Sequence, residues 1–125
     1  MKKLAIVILA AQAFTFGSEL PARFFKALNT LETQGRTGAI LGDHGRALGP
    51  LQIHYSYFLD SGVKGNYLNC SDLEFSKKVV SAYLSQYGKQ YIARRDLVSL
   101  ARLHNEGIRV TNSSAVYGLK FKKMW

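Results

Sequence analysis

The sequence predicts a mainly α-helical single domain, and three observations support this. Apolar residues recur at spacings of three and four along most of the chain, almost no stretch alternates with period two, and 125 residues suit one hydrophobic core. With 47% apolar residues the composition is that of a globular protein, which excludes whole-chain disorder. A single cysteine, Cys70, excludes an intramolecular disulfide and any multi-cysteine zinc site. The core alone must therefore hold the fold.

The first segment has the form of an address. Lys2 and Lys3 precede an apolar stretch from Leu4 to Ala11, and Ala11-Gln12-Ala13 offers small residues where a signal peptidase reads. Residues 1–13, or 1–18 with a later cut, are expected to be a signal peptide, with the folded domain spanning 19–125. The alternative is an apolar strand, helix or anchor that stays attached. Export implies a secreted, periplasmic or virion-associated protein.

A first helix is expected from about Glu19 to Thr33, where Leu20, Phe24, Leu28 and Leu31 form one stripe. Pro21 falls in its first turn, where a missing N–H costs little. Gly35, Gly38, Gly42, Gly45 and Gly49 then interrupt the helical pattern, predicting an irregular loop or short hairpin. Pro50 is expected to open a second helix through Leu51, Tyr55, Phe58 and Leu59, closed by Ser61-Gly62. Ser71-Asp72-Leu73-Glu74 reads as a capping box for a third helix carrying Phe75, Val79, Ala82, Tyr83 and Gln86 and ended by Gly88. Asp96 is placed to cap a fourth helix with Leu97, Leu100, Ala101 and His104 on one face. Ser113 or Ser114 begins a last helix through Tyr117, Phe121 and Met124. About five helices result, with the glycine-rich loop as the main irregularity.

Glu32 stands at the end of the first helix, beside its apolar stripe, with the glycine-rich segment directly after it. A carboxyl held against apolar walls keeps its proton, because desolvation penalises the charged form. Such a group can protonate the leaving oxygen of a glycosidic bond. Asp43 lies inside the glycine-rich segment, which is free to fold back toward Glu32, so two carboxyl groups could flank one bond. The bland readings are a solvated helix-end glutamate and a turn aspartate.

Glu32 followed by Gly45-Arg46-Ala47-Leu48-Gly49-Pro50-Leu51-Gln52-Ile53 resembles the signature of invertebrate-type (destabilase) lysozymes. It is similar, more widely, to goose-type lysozymes and soluble lytic transglycosylases. The resemblance extends through 55–62, 79–88 and Leu100-Ala101-Arg102-Leu103-His104-Asn105-Glu106-Gly107, similar to an A-R-I-H-N-G-G pattern, and on to Tyr117. It covers roughly residues 24–123. It implies a lysozyme-like domain with a cleft beside the loop, cleaving the β-1,4 bond between N-acetylmuramic acid and N-acetylglucosamine in peptidoglycan. Glu32 would be the general acid and Asp43 a second carboxylate. Gln52, His54, Tyr55, His104, Asn105 and Tyr117 would contact the glycan. Lytic transglycosylation by Glu32 alone, and a non-catalytic glycan- or membrane-binding protein, are the alternatives. Two departures stand out: Glu106 replaces a glycine, and the disulfides of the animal proteins are missing.

No cofactor and no metal are expected, since His44, His54 and His104 lack ligand spacing. The 17 Lys+Arg against 8 Asp+Glu give +9, favouring an anionic wall polymer or membrane surface as a further partner. The basic residues are spread along the chain, so no specific nucleic acid is expected, and neither is an oligomer.

Overall fold

The computed structural model describes residues 20–107 and 114–125. The expected signal peptide and Ser113 lie outside the described residues. Elements run in the order α1 (Ala22–Thr33), β1 (Leu41–Gly42), β2 (Ala47–Leu48), β3 (Ile53–His54), α2 (Tyr55–Ser61), a short 3-10 helix (Tyr67–Ser71), α3 (Leu73–Tyr87), α4 (Lys89–Ala93), α5 (Leu97–Glu106) and α6 (Ala115–Met124). The fold is mainly helical with one small sheet.

Helix α1 starts behind Pro21 and buries Phe24, Phe25, Ala27 and Leu28. It ends where Gln34 turns left-handed (φ 59°) and the N–H groups of Gln34 and Gly35 donate back to Thr30 and Asn29. Helix α3 supplies Val79, Val80, Tyr83 and Leu84, and α5 supplies Leu100, Ala101 and Leu103, to a single core that includes Leu51, Ile53 and Phe121. Gly118 lets α6 approach α5: a Cβ there would meet the side chains of Arg102 and Val98 at 2.9–3.2 Å.

The glycine-rich segment forms the short hairpin, one of the two forms expected for it, and a third strand extends it. It makes a three-stranded antiparallel sheet, β1-β2-β3, with Leu41 opposite Leu48, Gly42 opposite Ala47, Ala47 opposite His54 and Leu48 opposite Ile53. This corrects the helix expected from Pro50. Gly49 and Gln52 are both left-handed (φ 87° and 53°), which breaks a helix, while Leu51 and Ile53 alternate inward as strand residues do. The helix starts only at Tyr55. Gly49 also permits a close approach, since a Cβ would collide with the carbonyl of Cys70.

The cap of α3 is Asp72, whose Oδ2 accepts from the N–H of Phe75 at 2.8 Å, and not the expected Ser71, whose hydroxyl donates to the Leu68 carbonyl. Asp96 caps α5 as expected, accepting from the N–H of Ser99. The 3-10 helix and α4 carry too few residues to show a periodicity. No helix among the described residues is long and apolar enough to cross a membrane.

Candidate active site

Glu32 occupies the last turn of α1, and its side chain keeps only 16% of its exposure. Burial raises its pKa from 4.5 to about 7, opposed by a hydrogen bond from Tyr117. The Tyr117 hydroxyl, brought across by α6, donates to Oε2 at 2.8 Å. This bond ties the two ends of the described chain together.

His104, on α5, is the second neighbour, with Nε2 3.6 Å from the same Oε2. That pair is no ion pair at neutral pH, because burial pushes the imidazole down to about 4. Its tautomer follows from its partners. Nε2 lies 3.0 Å from the Leu51 carbonyl, which can only accept, so Nε2 carries the proton. Nδ1 is then free to accept from the Tyr57 hydroxyl at 3.0 Å. Tyr57 is itself fixed by stacking on Tyr83, ring centroids 3.7 Å apart. Glu32 therefore meets only neutral donors.

The loop that carries Leu51 is fastened to α1 by two buried polar side chains. Asn29 Nδ2 donates to Thr33 Oγ1 and to the Arg36 carbonyl, both at 2.9 Å, and the Thr33 hydroxyl donates to the Pro50 carbonyl at 2.9 Å. Asn29, Thr33 and Tyr57 are site-shaping residues that sequence reasoning missed. The available signal was an i, i+4 polar pair on the face that also carries Phe25.

Asp43 lies in the turn between β1 and β2 with a left-handed backbone (φ 50°) and a side chain 48% exposed. Its Oδ2 is 3.1 Å from His54 Nε2, and Oδ1 is 3.7 Å from the Arg46 guanidinium. Asp43, His54, Tyr57, His104, Asn105 and Glu106 line one cleft of about 580 Å³. Glu32 is not among the residues that line this cleft; its Oε2 lies 3.6 Å from His104, which does line it. A second depression of about 310 Å³ shares His54 and Ser56 with the cleft and adds Tyr55 and Tyr67. Tyr55 is 56% exposed and meets Tyr67 edge-on.

The structure thus brings Asp43, His54, His104 and Asn105 to one cleft, places Tyr55 in the neighbouring depression and joins Tyr117 to Glu32, which lines neither. Gln52 is placed elsewhere, which corrects its expected contact with glycan. Its Nε2 donates to the carbonyls of Gly49 (2.9 Å) and Ile40 (3.2 Å), and its Oε1 fills the space that a Cβ at Gly42 would need. The amide braces the glycine-rich loop. No group of three His, Cys, Asp or Glu side chains suited to a metal occurs among the described residues. Cys70 is buried, and burial raises its thiol to about 11, which suits packing and not nucleophilic attack.

No family model matches this sequence, and no curated protein matches it. Chemically, the site is a protonatable carboxyl with neutral hydrogen-bond donors beside an open polar groove.

Proposed function

We propose that this protein is a peptidoglycan-cleaving glycosidase with a lysozyme-like domain, acting on the β-1,4 bond between N-acetylmuramic acid and N-acetylglucosamine. The observation that supports this reading is the Glu32 carboxyl, 16% exposed and shifted to about 7, 3.6 Å from His104 in the lining of a cleft of about 580 Å³. The order of the motifs around Glu32, Gly45–Ile53 and Leu100–Gly107 supplies the substrate class.

In this reading Glu32 gives its proton to the leaving glycosidic oxygen as the bond breaks, and positive charge develops on the adjacent ring. The carboxylate left behind accepts from the Tyr117 hydroxyl, with the Nε2–H of His104 close by. These donors carry no charge, so they leave the acid protonated beforehand and still receive the anion afterwards. Asp43 faces the groove as the second carboxylate, oriented by His54. Water completes hydrolysis, and Glu32 recovers its proton from it. Asn105 and Tyr55 offer an amide and a ring to the glycan. Such a substrate places the enzyme outside the cytoplasm.

E32Q keeps the shape and removes the proton. It is expected to lower release of reducing ends from purified peptidoglycan by more than about a thousandfold, within the range for a positioned general acid. It should retain its circular dichroism spectrum. Undiminished release would overturn the reading. The wild-type rate should fall as pH rises through about 7, where Glu32 loses its proton.

A second reading, lytic transglycosylation, is favoured by the half-exposed position of Asp43 and its contacts to His54 and Arg46. Glu32 would then act alone, and the muramyl residue's own hydroxyl would replace water. Fragments one water lighter than hydrolysis products in the mass spectrum would select it.

A further inference from the structure

Helix α6 has a second face that the site does not use. Gly118 and Phe121 turn inward, and Tyr117 reaches Glu32. Val116, Leu119, Lys120 and Lys123, spaced i, i+3, i+4 and i+7, form a stripe on the outward side. Val116 is 59% exposed and Leu119 62%. Both lysines are exposed, as are Lys122, Met124 and Trp125 at the helix end.

The charge of this face is one-sided. After Glu106 the sequence holds Arg109, Lys120, Lys122 and Lys123 and no acidic residue. Among the described residues, no carboxylate pairs with the α6 lysines. Helix α1 packs on the opposite, inward side of α6, where the Phe24 and Phe121 rings lie 5.5 Å apart, the Trp125 ring stacks on Phe121 at 5.9 Å and the Arg23 guanidinium lies 4.6 Å over the Trp125 ring.

We infer that the outward face of α6 docks onto a bilayer surface rich in anionic phospholipid. Its lysines match the headgroups, and the aliphatic side chains between them enter the headgroup–acyl boundary. A soluble polyanion would use the lysines and leave Val116 and Leu119 in water. A second copy of the chain would set like charges against each other. The lipid surface alone uses both halves of the stripe. This inference stands apart from the glycosidase reading, since none of its residues takes part in the chemistry.

The full chain is mixed with vesicles of phosphatidylglycerol and phosphatidylcholine, and with phosphatidylcholine alone, and co-sedimentation is measured. Binding is expected for the first and not the second. K120E/K123E is expected to weaken binding by at least about tenfold. L119S is expected to weaken it severalfold, with circular dichroism confirming that both variants fold. No binding to the anionic vesicles, or equal binding by K120E/K123E, would overturn the inference. So would unchanged lipid binding by L119S, which would make the face a polyanion site.

Discussion

Glu32 and Asp43 carry the same functional group in opposite surroundings. Glu32 retains 16% of its exposure and touches uncharged donors, Tyr117 and His104. Asp43 retains 48% and faces a guanidinium and an imidazole at the rim of the cleft. The difference comes from the backbone. Glu32 lies in the last turn of a helix whose apolar face is buried in the core, whereas Asp43 sits on a left-handed turn with its side chain half exposed. One fold thus prepares one carboxyl to hold a proton and leaves the other to solvent and ionic neighbours, the division that acid-catalysed bond cleavage uses.

The largest effect that tests this contrast is on stability. A carboxyl whose pKa rises from 4.5 to about 7 on folding stabilises the protein below pH 4.5 relative to higher pH, and this is lost as pH rises through about 7. The loss is about 3 kcal/mol. His104 acts in the opposite sense. Its folded pKa is depressed from 6.5 to about 4, so its contribution is present above 6.5 and lost as pH falls through about 4. The two nearly cancel between pH 4.5 and 6.5. In urea unfolding, E32Q should therefore gain about 3 kcal/mol on the wild type between pH 4.5 and 7. A constant difference would break the contrast.

Asp43→Asn sharpens it from the other side. Asparagine tolerates the left-handed turn, so the backbone should remain. On the proposed function, release of reducing ends should fall by at most about a hundredfold, the low end for an acid–base group, against the far larger loss in E32Q. Equal losses in the two variants would make the carboxyls equivalent.

Tyr117→Phe is expected to give the next smaller change, a loss of about tenfold in rate, the size of one hydrogen bond to a charged group. Without its donor the Glu32 carboxylate is less favoured, so the alkaline limb of the pH–rate profile should move to higher pH. A downward move would contradict the geometry. The smallest effect belongs to the rim: Asp43→Asn should cost less than about 1 kcal/mol of stability, as exposed ion pairs do.

The helices were legible where a stripe was long. Phe24 and Leu28 in α1, Val79 and Tyr83 in α3, and Leu100 with Ala101 in α5 repeat at helical spacing and are buried. The glycines allowed a short hairpin, but the positions of its strands and the third strand could not be read, because each is two residues long, too short to show an alternation. Pro50 misled for a local reason: a proline suits the first turn of a helix and equally a turn between strands, and only the left-handed Gln52 decides. Glu32 was legible as a carboxyl beside an apolar stripe. Its partners were less so, because Tyr117 and His104 reach it from α6 and α5, far along the chain. Asn29 and Thr33 left a faint trace as an i, i+4 polar pair, but their reach to Pro50, like that of Tyr57 to His104, depends on contacts between distant segments. Gln52 fell in a motif that suggested sugar contact, while its amide closes a loop.

The bond from His104 to the Leu51 carbonyl has a spectroscopic consequence. The loop that supplies this acceptor is anchored through Pro50 to Thr33. If the loop lifts away, the imidazole loses the acceptor that holds hydrogen on Nε2, and the Tyr57 hydroxyl becomes free to reverse its direction. The nitrogen resonances of one histidine ring would then register, from inside the core, whether the loop beside the acid is seated.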